Sequence, residues 1–249
     1  MTERLTVATL NILNLRDRWE ERLPLLLADF AAFQPDLIGL QEVVYPMQQD
    51  RLLGASGIGR YEAVRGWAGR PEYGNSLLVR ASLSFGAVDR IDLGFARAAH
   101  RILVSLPGGA RLAFAVTHLH HVPADEAVRV TQVEALLEWL DTGPVHDALI
   151  VTGDFNAEPA EAASVRMREA GFRSAFAEAN GADPAVTWPS GLQAPAMDTD
   201  GDPGCLDYVW LRGAATAQAA RLVFDRPAVD DPTLYPSDHL GIAAEISIG

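Results

Sequence analysis

The sequence predicts an α/β fold of four layers, α/β/β/α, with two mixed β-sheets packed face to face and flanked by helices. Strand-like segments are too numerous for a simple doubly wound sheet. Several follow one another across short glycine or proline turns in the middle of the chain, which makes neighbours antiparallel and the sheets mixed. Long helices are few. With 249 residues, 49% of them apolar, the chain can bury one large core, and a single domain over 1–249 is expected.

Each element has a local reason. Residues 5–12 alternate and are β-branched enough for a strand. Residues 18–33 place Trp19, Leu23, Leu26, Leu27, Phe30 and Phe33 at helical spacing, with Asp17 as the expected N-cap. "DLIGLQE" (36–42) is a short buried strand. "GASGIG" (54–59) lacks the lysine of a phosphate-binding loop and reads as a turn between helix and strand. Segments 75–80, 86–92, 101–106 and 111–117 are short strands. Pro123 opens a helix whose expected core face is Val130, Val133, Leu137 and Leu140. "ALIVTGD" (148–154) is a buried strand, 161–170 is helical, and strands recur near 206–212, 219–224 and 240–247. No repeat, low-complexity tract or linker interrupts the chain.

The formal net charge is −13, and every basic side chain apart from histidine is arginine. That balance argues against a broad basic surface for gripping nucleic acid, although it leaves room for a local groove lined by Arg60, Arg65, Arg70 and Arg97. No apolar run reaches membrane-spanning length. The first residues enter a strand without a signal-peptide pattern, so a cytoplasmic protein is expected, and the single Cys205 agrees with a reducing compartment. A monomer is the expected assembly.

Polar residues of one kind sit at strand ends. Asn11, Gln41, Glu42, His118, Asp154 and Asn156 follow apolar runs. Asp207, Asp238 and His239 precede them. Ends of strands running one way and starts of strands running the other can share one edge of a mixed sheet, so these residues are expected to converge on a rim. Singly, Asp154 and Asn156 read as turn formers, Asp207 as a strand-edge charge and His118 as a buried structural histidine. Together, the carboxylates, amides and histidines suit an oxygen-ligated Mg²⁺ or Mn²⁺ handling a phosphate ester.

Six short motifs make that reading specific. "TLN" (9–11), "LQE" (40–42), "TH" (117–118), "GDFN" (153–156), "LDYV" (206–209) and "SDH" (237–239) occur in the order of the endonuclease/exonuclease/phosphatase superfamily, which the chain resembles from residue 9 to residue 239. The resemblance implies a role at each matching position. Glu42 would be the principal metal ligand, with Asn11 and Asp238 completing the metal site. Asp154 would orient or deprotonate the attacking water, and Asn156 would stabilise the phosphoryl group. His239, oriented by Asp207, would contact the scissile phosphate. His118 would contact phosphate or assist the leaving group. "YGNSLLVR" (73–80) resembles a strand of the family that makes Asn75 a phosphate contact, and Trp188 in "TWP" stands where an aromatic wall of the pocket is common.

Departures are also visible. Cys205 occupies the place where relatives often carry arginine, two residues before the aspartate. Thr152 and Ala157 replace the Trp and Val of the abasic-endonuclease pattern, and "PAMDTD" does not match the inositol-phosphatase motif. The expectation is therefore a metal-dependent hydrolase acting on a phosphate ester, a phosphodiester first, with nucleic acid, lipid or a small molecule left open as substrate. A phosphomonoesterase and a catalytically silent binding protein on the same fold are the alternatives. "HLHH" (118–121) raises a zinc site, and "MDTDGDPG" (197–204) an acidic loop without EF-hand order.

Overall fold

The structure, a computed structural model, describes residues 2–57, 59–66, 73–195, 197 and 201–249. In chain order the elements are β1 (Glu3–Asn11), α1 (Trp19–Phe33), β2 (Leu37–Val43), α2 (Met47–Ser56), β3 (Tyr61–Arg65), β4 (Gly74–Arg80), β5 (Ser84–Phe85), β6 (Asp89–Gly94) and β7 (Arg97–Ser105). There follow β8 (Arg111–His118), α3 (Glu126–Asp141), β9 (Ala148–Asp154), α4 (Ala162–Glu169), β10 (Arg173–Ser174), α5 (Ala175–Asn180), β11 (Asp207–Gly213), β12 (Ala215–Val223) and β13 (Gly241–Ile248).

They form two sheets. The first runs β12-β13-β1-β2-β4-β3, and the second β10-β11-β9-β8-β7-β5, with β6 also paired to β7. Each sheet has one parallel pair at its centre, β1 with β2 and β8 with β9, flanked by antiparallel neighbours. The expected mixed sheets are present.

Alternating side chains give each sheet two apolar faces. Val7, Leu37, Val79 and Ile246 of the first sheet pack against Ile102, Phe114, Ile150 and Leu211 of the second. The outer face of the first is covered by α1 and α2 through Leu23, Leu26, Phe30 and Leu52. The outer face of the second is covered by α3 and α4 through Val133, Leu136, Leu140 and Met167. These are the four expected layers. Gly39 marks how closely the sheets meet, because a Cβ there would lie 2.1 Å from Oγ1 of Thr152 on the opposite sheet.

Several local expectations need correction. Arg18, not Asp17, is the N-cap of α1, in left-handed conformation and without a side-chain cap. The carbonyl of Asp17 instead accepts from Arg22 Nε at 2.7 Å. The α3 face is rotated: Arg129, Gln132, Val133, Leu136 and Leu140 are buried, while Val130 and Leu137 are half-buried. Helix α2 continues through Gly54 to Ser56, so the turn expected over 54–59 begins only at Gly57.

Candidate active site

Strand register brings the polar strand ends to one rim. Asn11 lies opposite Gln41, His118 opposite Asp154, and Asp154 opposite Asp207. β4 begins beside the end of β2, where Val43 pairs with Gly74, and so carries Asn75 to the same edge. Asp238 and His239 immediately precede β13. A cleft of about 420 Å³ opens there, lined by Asn11, Glu42, His118, Asp154, Asn156, Asp238, His239 and Trp188 among others. Of the ten expected site residues, Asp207 and Asn75 are not on that lining. Asp207 is fully buried behind His239. Asn75 lines a smaller recess shared with Glu42, Arg97 and His118, and its amide donates to the Ala98 carbonyl at 2.9 Å.

Besides the bond from Asn75 to Ala98, two side-chain pairs join the two halves at this rim. Asn11 Nδ2 donates to Asp154 Oδ2 at 3.1 Å, and His239 Nδ1 meets Asp207 Oδ2 at 2.8 Å. The other ring nitrogen of His239 lies 3.6 Å from Asp154 Oδ2, and His118 Nε2 lies 3.4 Å from the same oxygen. Asp154 is thus the hub of the site.

Asn156 reaches the cleft by a different route from the strand alternation that its spacing with Asp154 suggests. β9 ends at Asp154, and Asn156 is left-handed, with φ 48°. Its backbone N–H donates to Asp154 Oδ1 at 2.9 Å, and its Nδ2 donates to the Leu119 carbonyl at 3.1 Å. The local turn therefore forms part of the site, because the carboxylate that turns the chain also faces the cleft. Phe155 packs inward against Tyr208 and Trp210. Gly153 lets the strand pass the neighbouring backbone, since a Cβ would stand 2.3 Å from the Thr117 carbonyl.

The charges are strongly coupled. Burial raises the carboxyl pKa of Asp154, and nearby Asp207 adds to the rise against the opposing pull of His239. Burial opposes the charged form of His239, yet Asp207, Asp154 and Asp238 together hold the imidazole well above its ordinary pKa. Glu42 is raised by burial and then by the like charge of Asp238, partly offset by Asn14, Arg97 and His239. Asn14 Nδ2 donates to Glu42 Oε2 at 2.5 Å.

Two oxygen donors that repel one another at a cleft, Glu42 and Asp238, are what a hard divalent cation would neutralise. The tightest grouping of possible donor atoms among the described residues is different: Asp154, Asp207 and His239, within 4.8 Å of one another. There the imidazole, held toward its charged form, already balances the carboxylates. The donor chemistry therefore fits a cation at Glu42 and Asp238 better than inside the histidine cluster.

The three histidines of "HLHH" diverge. His120 Nε2 meets Asp125 Oδ2 at 2.8 Å, His121 Nδ1 meets Arg97 at 3.1 Å, and His118 faces Asp154. No donor grouping among the described residues joins them. Of the groove arginines among the described residues, Arg97 is on the cleft and Arg60 and Arg65 are not. Arg60 bonds Gln34, Arg65 lies 3.4 Å from Asp50, and Arg70 falls outside the described residues. The acidic stretch 198–200 also falls outside them.

Sequence reasoning missed Asn14 and Arg22. Asn14 sits in a loop with repeated positive φ, which no periodicity marks. Arg22 occupies the apolar stripe of α1, fully buried. Its guanidinium donates to the carbonyls of Ile12, Leu13, Asn14, Arg16, Asp17 and Pro236.

Residues 8–239 match the sequence model of the Endonuclease/Exonuclease/phosphatase family. Nocturnin of Xenopus laevis is 26% identical over 92% of this chain, and human Nocturnin likewise 26% over 92%. The chain spans only 65% and 58% of their respective lengths. The structure of the human Nocturnin catalytic domain with bound sulfate superposes with a TM-score of 0.80 at 25% identity, covering 99% of this chain and 95% of that one. D. rerio TDP2 complexed with single strand DNA product superposes with a TM-score of 0.82 at 21% identity, covering 98% and 99%. With a family match that spans nearly the whole chain and the same fold in solved relatives, this chain belongs to the endonuclease/exonuclease/phosphatase family of phosphoesterases.

Proposed function

We propose that the chain is a divalent-metal-dependent phosphodiesterase. The observation that carries this reading is the convergence of Glu42, Asp238, Asp154, His118 and the His239–Asp207 pair at one cleft. The human Nocturnin catalytic domain, with its bound sulfate, gives a relative that holds a tetrahedral oxyanion. Glu42 and Asp238 would hold Mg²⁺ or Mn²⁺, supported by Asn11. The bound ion supplies charge neutralisation to the phosphoryl oxygens.

The remaining work falls to this chain's side chains. Asp207, Asp154 and Asp238 favour the charged form of His239, which suits it to donate to the phosphate and ill suits it to take a proton from water. Asp154, with its raised pKa and fixed hydrogen bonds, is the group placed to orient water and accept its proton. Asn156 and His118 complete the surroundings of the phosphoryl group, and Asn75 stands behind them in the adjoining recess. Positioning and preformed charge are the sources of rate.

The test is hydrolysis of a panel of phosphodiesters, monoesters and DNA by purified protein with Mg²⁺ or Mn²⁺. Diesters are the expected substrates, and Glu42→Gln should lose both hydrolysis and metal affinity. No hydrolysis of any ester, together with undiminished metal binding by Glu42→Gln, would sink the proposal and leave a silent binding protein.

The pH profile offers a second check. Protonation of Asp154 should end activity on the acid side, and deprotonation of His239 should end it on the alkaline side. Asp207→Asn removes a negative charge that favours the imidazolium. Its alkaline limb in kcat/KM should therefore move to lower pH, while the acid limb should not move upward. An unmoved alkaline limb would show that His239 does not set it.

A further inference from the structure

We infer that the cleft takes a small phosphate ester with an uncharged, planar organic group, and that its acidic rim turns nucleic-acid strands away. This deepens the phosphodiesterase reading and rests on it.

Size is the first argument. At about 420 Å³ the cleft stands toward the lower end of small-ligand pockets, which span roughly 300–1,000 Å³. It has room for one phosphate and one ring system.

Charge is the second. Beyond the carboxylates around the phosphate, the described lining carries Asp17, Glu158, Glu161 and Asp202. Glu158 and Asp202 are exposed. The cations there are less available. Arg129 is almost fully buried and donates to the carbonyls of Val122 and Pro123 and to Glu161, at 2.7, 3.1 and 3.2 Å. It cannot turn to a phosphate without stranding those carbonyls. Arg97 is buried beside Glu42 and bonded to His121. Arg16 is the exposed cation of the described rim. A nucleic-acid strand carries a charge about every 3.4 Å of duplex axis, so seating one phosphate in the cleft brings its neighbours onto this rim. Those neighbours would meet more carboxylates than guanidiniums.

The third argument is the wall. Trp188 is half-buried, and its ring lies against Gly201, where a Cβ would stand 3.5 Å from the indole and 3.6 Å from Pro123. Leu13, Met197 and Leu206 extend the apolar lining. A flat indole beside apolar neighbours favours a planar group over a flexible charged one.

The salt response separates the possibilities by sign. Proteins that bind nucleic acid through cations lose affinity as salt rises, whereas repulsion at an acidic rim weakens when screened. Wild-type protein with Mn²⁺ should be assayed on methyl 4-nitrophenyl phosphate, a diester with one ring, and on a short single-stranded oligonucleotide across a range of NaCl. The expected result is a higher kcat/KM on the small diester, changing little with salt, and a lower oligonucleotide rate that rises with salt. The Glu158→Gln/Asp202→Asn double variant should raise the oligonucleotide rate relative to the small diester. Trp188→Ala should raise KM for the aromatic ester by about tenfold. An oligonucleotide cleaved as well as the small diester, at a rate that falls with salt, overturns the inference and leaves the phosphodiesterase reading standing. Failure to hydrolyse either ester or any other of the panel, with metal binding undiminished in Glu42→Gln, overturns both.

Discussion

Asp154→Asn is expected to lower kcat on a small phosphodiester by about a thousandfold, within the range of roughly 10²–10⁴ that a positioned acid–base group contributes. The fold should survive this change. In the wild type, burial and the charge of Asp207 oppose ionisation of Asp154, and an amide removes that conflict. One accepted hydrogen bond is lost, because a carboxamide offers a single acceptor oxygen to Asn11 Nδ2 and the Asn156 N–H. These effects oppose one another, so the melting temperature should stay within a few degrees of the wild type or rise. Steady-state kinetics with Mg²⁺ and a thermal melt measure both sides. A variant that keeps a tenth or more of its kcat would remove Asp154 from the role of base.

Arg22→Met is expected to be the most destabilising of the substitutions considered, by about 3–5 kcal/mol. The methionine fills much of the same space but donates nothing to six backbone carbonyls. Five of these carbonyls lie between Ile12 and Asp17 in the loop after β1, and the sixth is Pro236, two residues before Asp238. Burial lowers the pKa of this guanidinium to about 10, with Asp238, Asp17 and Glu42 holding it up, so it stays charged at neutral pH. The loss should therefore reach the site. Asn14 would move relative to Glu42, and Asp238 would lose its tether to the loop after β1. Lysine, with three donors in place of five and no planar fork, should recover only part of the stability. Urea denaturation and Mn²⁺ titration give the two readings. An unchanged urea midpoint for Arg22→Met would show that water serves those carbonyls as well as the arginine does.

Much of the site was legible because its chemistry lies at strand ends. Apolar runs such as 148–153 mark strands by composition, and a polar residue directly after such a run, as at Asp154, is placed at the edge by the run itself. The order of the strands did not need to be known. What escaped was set by polar groups serving buried backbone. On α3 the apolar positions Val130 and Leu137 suggest one face, but the buried face includes Arg129 and Gln132. Gln132 accepts from the His120 N–H at 2.8 Å and donates to the Gly94 carbonyl at 3.3 Å. Such a residue is interior because of what it bonds, a property that hydrophobic periodicity does not register. Arg22 on α1 is the same case. The loop between β1 and α1 escaped for a related reason. Leu13, Asn14, Asp17 and Arg18 all have positive φ, in a loop held by bonds from Arg22 together with Asx turns in which Asn11 and Asn14 accept from the Leu13 and Arg16 N–H groups. At Asp154 and Asn156 the sequence does not separate strand from turn, because a two-residue spacing looks the same in a strand as in a turn closed by the first side chain.

The two side-chain pairs that cross the rim have a consequence for assembly. Asn11 ends β1 of one sheet and His239 lies just before β13 of the same sheet, while their partners Asp154 and Asp207 belong to β9 and β11 of the other. Neither half contains a working reagent. A slip of one residue in either sheet displaces its side chains by about 3.3 Å and flips them to the other face. Both halves would survive such an error chemically intact, yet Asp154, the His239 ring and the other carboxylates of the cleft would no longer face one point. On the proposed function, hydrolysis would be a late product of folding, available only after the halves have docked in register. A chain caught part-way would then be inert toward phosphate esters, and recovery of turnover would report sheet docking, which spectroscopic measures of strand content cannot provide.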